Sequence, residues 1–313
     1  MKFLFSKIFF LALIGIFSNC TKNNQTEIES SNEWTQRANI PTEELRISAS
    51  IVTYNNEAYL LPGKGGTRFS SKPEILKYSN DEWTRVATYD GFAMAGGSRS
   101  IRNNDVIYIL GGVNRSNAPT DEVRAFSITT NSFSEETRFS SAISATYTQT
   151  KAYFGNNEEF FSYDFTTNTT ESLPLTPSGL SILSALTTTE NNIIYALFIA
   201  QETDNFYAFN ESLGEWIQLA DFPGGSRSGA SIVSTSTDIY AGLGNNPNSL
   251  FDILKYNIET NEWDEFSEYP GTHFSSGFAF ELNNELFFGG GFTGSGIISN
   301  ELLNEEIYSL KVE

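Results

Sequence analysis

The side chains best suited to chemistry are sparse and unevenly placed in this sequence. It has one histidine, His273, and one cysteine, Cys20. Zinc and copper centres draw on several imidazole or thiolate ligands, so no metal site is expected, and no cofactor is read from the chain. A Ser-His-Asp arrangement would depend on His273, which stands in a loop before a hairpin with no nucleophile elbow beside it. It reads as a solvated or capping residue. Asp and Glu number 38, too many for counting alone to single out the carboxylate pair of a glycosidase. Most lie in hairpin turns or beside tryptophans, where solvation is natural. The arginines are more informative. Arg46, Arg99, Arg138 and Arg227 each precede or open the first strand of a predicted unit. The string Gly-Ser-Arg-Ser occurs twice, at 97–100 and 225–228, with Arg99 about two residues nearer its hairpin turn. Arg68 and Arg115, with Lys64 and Lys72, follow second strands. Gathered on one face, these groups would form a positive funnel for a carboxylate-bearing ligand. The other reading is that they pair with acids of adjacent units.

Charge and the N-terminus narrow the setting. The formal charge of −19 argues against wrapping nucleic acid, whose phosphates require a basic stripe. Lys2 and Lys7 precede an apolar run at 8–17, too short for a spanning helix of about 20 residues and ordered like a secretory signal. No later segment is long and apolar enough to span a bilayer. Phe17-Ser18-Asn19-Cys20 resembles a bacterial lipobox, although Leu is usual at the Phe17 position and Gly or Ala at the Asn19 position. The resemblance implies a signal peptide over 1–19 and a lipid on Cys20. The expected location is the cell envelope, on a bacterial membrane, with the outer membrane foremost. The lipid would be the one membrane contact, with the protein facing the periplasm or exterior. The polar stretch 20–31 reads as a flexible tether. With Cys20 lipidated no disulfide is available, so the domain must be held by its core.

Positioning any functional group requires elements, and an internal repeat supplies them. All four tryptophans follow a glutamate, at positions 34, 83, 216 and 263. Phe209 and Tyr256 precede their Trp by seven residues and Tyr78 by five. The seven-residue step recurs from Phe126 to Phe133 and from Tyr163 to Thr170. Turn residues stand between the members, so each pair reads as two strands of a hairpin. Another hairpin precedes each pair, turning at Asn55-Asn56, at 103–105, in a Ser/Thr stretch before Ile239, and at Asn283-Asn284. Glycines follow its second strand: Gly65-Gly66, Gly111-Gly112, Gly242 with Gly244, and 289–291. Two units are degenerate there, with Gly155 in one and Ala200 in the other.

Two strands, a Gly-Gly, a third strand ending in an aromatic and a Trp on the fourth resemble the kelch repeat. The resemblance covers 32–313 at a period of about 46 residues. It implies an all-β fold, a six-bladed kelch-type β-propeller, because a four-stranded blade has two apolar faces that only neighbouring blades can cover. Third strands ending at Tyr78, Phe126, Tyr163, Phe209, Tyr256 and Leu310 number the blades. The last has no fourth strand after it, whereas residues 32–35 match 261–264. The N-terminal strand is therefore expected to close the ring in the last blade, leaving no free edge.

Among kelch-type enzymes, galactose oxidase holds copper on two histidines and two tyrosines, one of them joined to a cysteine. A single His and an anchored Cys exclude that chemistry here. The sialic-acid mutarotases are six-bladed kelch proteins of the bacterial envelope that use Glu, Arg and His around the channel. The architecture matches them but no motif does, so no catalytic residue is carried over. The leading expectation is a non-enzymatic, monomeric binding module for a protein or glycan, acidic sugars included, on one propeller face. The alternatives are a sugar-active enzyme, such as a mutarotase-like isomerase, and a scaffold part of an envelope complex. Arg, Glu and Tyr clustered at one channel mouth would favour the enzyme.

Overall fold

Short alternating strands bounded by Asn-rich turns dictate hairpins, and hairpins are what the chain forms. The computed structural model describes residues 33–66, 71–89, 97–113, 118–142, 144–155, 158–175, 185–189, 193–198, 205–246, 248–272, 275–293 and 299–312. Residues 1–32, with Cys20, and also Arg68, Arg115 and His273 lie outside the described residues.

Six four-stranded antiparallel sheets make the blades. Their first strands, in chain order, are Ile51–Tyr54, Arg99–Asn103, Ser144–Tyr147, Ala185–Thr188, Ser231–Ser234 and Phe278–Leu282. These strands contact one another in sequence, and the sixth returns to the first, so they ring a central axis. The sixth blade is assembled from both ends of the chain. Trp34–Gln36 pairs antiparallel with Ile307–Lys311, Trp34 opposite Leu310. The expected closure by the N-terminal strand is therefore present, and the outer edge of that sheet is a short three-residue strand.

The aromatic steps in the sequence become cross-strand pairs. Tyr78 lies opposite Trp83, Phe126 opposite Phe133, Tyr163 opposite Thr170, Phe209 opposite Trp216 and Tyr256 opposite Trp263. The five-residue step has a local cause. Its turn is Asn80-Asp81, with φ of 52° and 59°, a two-residue turn that Asn and Asp tolerate in the left-handed region. The seven-residue steps have longer loops that end in one left-handed residue each: Asn131, Asn168, Gly214 and Asn261.

Each blade face is covered by the next blade. Among the described residues six apolar clusters occur, one per interface. In the second strand of blade five, Ile239 and Ala241 pack toward blade four while Tyr240 packs toward blade six. That two-sided burial explains why second strands read as nearly unbroken apolar runs. In blades one, four and five a tryptophan ties the blade to the one before it. Trp83 donates its indole N–H to Ala38 O, Trp216 to Pro174 O and Trp263 to Ala220 O, each at 3.0 Å. In blades one and five the same alanines are held twice. Asp81 and Asn261 accept the N–H of Ala38 and Ala220, at 2.8 and 2.9 Å, and also a hydroxyl from Tyr78 or Tyr256.

At Gly111 an added Cβ would lie 2.6 Å from the Cβ of Ser141, in the segment that leads into the next blade. At Gly155, Gly242 and Gly289 an added Cβ would lie 2.3, 2.0 and 2.3 Å from the carbonyl leading into the third strand of the same blade. The close approach there is within a blade rather than between blades.

Candidate functional site

The innermost strands enclose a channel of about 960 Å³. Register decides which side chains share a level in it. In every blade one first-strand residue lies opposite a second-strand residue that itself faces the third-strand position of the repeat. Those six residues are Thr53, Arg102, Tyr147, Thr188, Ser234 and Glu281. All six line the channel. One cation, one carboxylate, one phenol and three hydroxyls thus form a single polar layer.

That layer sits at the end where first strands turn into second strands. A second cavity of about 350 Å³ opens there, lined by Tyr54, Asn55, Asn56, Asn104, Gln149 and Asn283 along with Arg102 and Glu281. Two residues back along the strands the lining is Ile51, Ser100, Ala145, Ile232 and Ala279, mostly apolar. At the far ends of the strands, Ser50, Arg99, Ser144, Ser231 and Phe278 line the channel. Its chemistry is therefore graded along the axis.

Several hydroxyls are engaged in joining blades. Ser50 donates to Ser98 O at 2.9 Å, Ser234 to Thr188 O at 2.8 Å, and Thr188 to Tyr147 O. Thr187 and Ser234 share a 2.7 Å hydrogen bond. The Ser231 hydroxyl is buried and has no hydrogen-bond partner among the described residues.

The arginines anticipated as a ring fall into separate classes. Arg46 is 1% exposed. Its guanidinium pairs with Glu44 at 2.8 Å and donates to the carbonyls of Glu44, Leu61 and Glu74. Burial pulls its pKa down to about 10 against the opposing pull of Glu44 and Glu74. Arg227, also buried, makes a bidentate pair with Asp252 at 2.8 and 2.9 Å, reaches Leu243 O and Gly224 O, and lies over the Phe222 ring. Arg138 pairs with Glu136, donates to the Tyr108 hydroxyl at 3.0 Å and spans the rings of Tyr108, Phe139 and Tyr163. The hydrogen bond to Glu136 holds its charge firmly, pushing the pKa up.

These three guanidinium groups are committed to carboxylates and carbonyls of their own surroundings, so the expected ring of ligand-facing arginines is not what the described residues form. The reason is geometric. The leading segments pair with the connection after the second strand, as in the bridges Ile47–Lys64 and Ser228–Asn245, and this turns Arg46 and Arg227 inward. Arg99 alone of the four lines the channel. It donates to the carbonyls of Gly97 and Ser98 at 3.3 Å, and burial lowers its pKa.

Arg102, Tyr147 and Glu281 were not singled out from the sequence. The signal that finds them is register rather than motif: align the blades on the third-strand aromatic, step two strands inward, and read that column. Among the described residues no group of three or more His, Cys, Asp and Glu is arranged to hold a metal ion.

No family model matches the chain. Over 88 residues it is 31% identical to the N-acetylneuraminate epimerase of Pasteurella multocida, a match covering 28% of this chain and 23% of that protein. Over 58 residues it is 40% identical to Kelch-like protein 21 of Rattus norvegicus, covering 18% of the chain and 10% of the relative. The Kelch-like protein 21 of Danio rerio matches at 38% over 60 residues, with coverage of 19% and 10%. The matches thus span less than a quarter of the length of these curated relatives. Local matches of kelch type thus accompany a repeat with the kelch order of parts and six blades closed into one ring.

Proposed function

We propose that the protein is an envelope-anchored binding module whose channel takes a sugar, acidic sugars foremost. The observation that carries this reading is the polar layer of Thr53, Arg102, Tyr147, Thr188, Ser234 and Glu281, backed by a more apolar wall at Ile51, Ile232 and Ala279. Sugars present hydroxyls to polar partners and C–H faces to apolar ones, and a channel graded in this way offers both. The match to an epimerase of N-acetylneuraminate, itself a carboxylated sugar, supports the same ligand class. Arg99 contributes charge-assisted hydrogen bonds from the opposite end, each about 1.5–3 kcal/mol. Anchoring rests on Cys20, and Cys20→Ser should move the protein from the detergent phase to the soluble fraction. An unchanged partition would remove the anchor from the proposal.

A second reading has an observation of its own. Arg102, Tyr147 and Glu281 share one layer at one mouth, as a sugar-active isomerase would need for holding and moving a proton. A panel of neutral and acidic sugars, titrated against the protein and followed by ligand NMR, tests both. Line broadening without chemical change supports the binding module. Exchange between sugar isomers supports the enzyme. No response from any sugar would end both readings.

A further inference from the structure

Most described arginines of this acidic chain are matched to a carboxylate. Arg37 pairs with Glu285, Arg46 and Arg85 with Glu44, Arg124 with Glu135, Arg138 with Glu136 and Arg227 with Asp252. Arg102 departs from that pattern. No carboxylate among the described residues lies within ion-pairing distance of it. Its Nη1 donates to Asn104 O at 2.7 Å, and its Nε is shielded from solvent without an acceptor among the described residues. Its guanidinium lies over the rings of Tyr54, from blade one, and Tyr147, from blade three, at 5.2 and 5.4 Å from their centroids.

Such a clamp fixes the side chain in place without neutralising it. Aromatic faces attract the cation, and the Tyr147 hydroxyl interacts with it as well, but neither carries a countercharge. A shielded Nε–H with no acceptor among the described residues is costly when nothing answers it. Around it the mouth offers carboxamides from three turns, Asn55 and Asn56, Asn104 and Asn283, with Gln149 from a fourth. Amides of this kind hydrogen-bond hydroxyl and carboxylate oxygens alike. Glu281 lines the same cavity, where its carboxylate accepts the Asn284 N–H at 2.7 Å. It is held at the rim by its own turn and does not reach Arg102.

We propose that Arg102, clamped between Tyr54 and Tyr147 at the hairpin-turn mouth of the channel, is a carboxylate-recognition residue for a small hydroxylated acid entering from that end. The site has a charge to be matched, amides to hold the rest of the ligand, and a cavity of about 350 Å³ in which to place it. This deepens the sugar reading, but the anion site does not require the whole channel to be filled.

Ligand-observed NMR titrations with D-gluconate and D-glucitol, which differ by one carboxylate, test it directly. Gluconate should bind at least tenfold more tightly than glucitol. Arg102→Met, which keeps an apolar stem between the tyrosines, should abolish that preference. Arg85→Met removes the same charge from an outer strand and should retain it. Equal binding of the two ligands, or a preference that survives in Arg102→Met, would overturn the proposal. Should Arg102→Met fail to fold, Glu281→Gln serves in its place. Removing the like charge should strengthen gluconate several-fold and leave glucitol unchanged, and no gain for gluconate would count against the site. Acetate binding that depends on Arg102, with neither sugar derivative bound, would uphold the anion site while the sugar reading falls. Both ligands binding equally and independently of Arg102 would do the reverse.

Discussion

Blades two and five carry the same four residues in front of their first strands, and the two copies do different work. In Gly225-Ser226-Arg227-Ser228 the arginine stands four residues before Ser231, where its strand begins. There the guanidinium is drawn inward to Asp252 and the carbonyls of Leu243 and Gly224. In Gly97-Ser98-Arg99-Ser100 the strand begins at Arg99 itself, and the side chain lines the channel. Arg46, which has the Arg227 placement but no Gly-Ser before it, is caged in the same manner as Arg227. Position relative to the strand, and not the local string, decides whether an arginine in this fold is caged by its own loops or lines the channel.

The largest effect expected from that contrast is on stability. Asp252→Ala leaves the buried Arg227 guanidinium without its counter-charge, and removing one partner of such a pair costs about 3–5 kcal/mol. Arg227→Met should do less, because it removes the buried charge itself and leaves Asp252, whose side chain is 36% exposed, to solvent. Thermal melts of the two variants check the order, and a melt of Asp252→Ala close to that of the parent would break the comparison.

Next in size is binding. Arg99→Ala should weaken sugars of either charge about tenfold, the loss of about 1.4 kcal/mol of charge-assisted hydrogen bonding. Its two bonds to the carbonyls of Gly97 and Ser98 are long at 3.3 Å, so its melting should fall far less than that of Asp252→Ala. A large drop in melting temperature with unchanged binding would place Arg99 beside Arg227 after all.

The smallest effect sharpens the same theme with one structural position and two chemistries. Asp81 in blade one and Asn261 in blade five accept the same pair of bonds, from a tyrosine hydroxyl and an alanine N–H of the preceding segment. Burial pushes the Asp81 carboxyl up, but the bonds from Ala38 and Tyr78 and the charge of Arg37 outweigh it, and its pKa is lowered. A lowered folded pKa gives stability that is present above the ordinary Asp value of about 3.9 and is lost as pH falls through the folded value. Asp81→Asn should therefore flatten the acid side of the stability profile, and Asn261→Asp should steepen it. Melts between pH 6 and pH 3 would show this, and identical slopes in all three proteins would dismiss the clamp as a source of pH dependence.

What the sequence by itself determined was the architecture. Aromatic steps, Asn turns and the stray Glu33-Trp34 are local or periodic features, and local turn chemistry together with two-sided burial suffices to number the blades and to identify the strand that closes the ring. The paired residues Phe126–Phe133 and Tyr163–Thr170 were legible even where the Trp had been lost. The site was legible only in part. Arg99 could be named from its segment, yet Arg46, Arg138 and Arg227 could not be told from it, because their partners Glu136 and Asp252 and the carbonyls around them are fixed by how loops fold back. Arg102, Tyr147 and Glu281 carry no shared motif and lie 45 and 134 residues apart along the chain. Only closure of the ring brings them to one level, because neighbouring blades contribute one residue each to a layer that no single repeat contains.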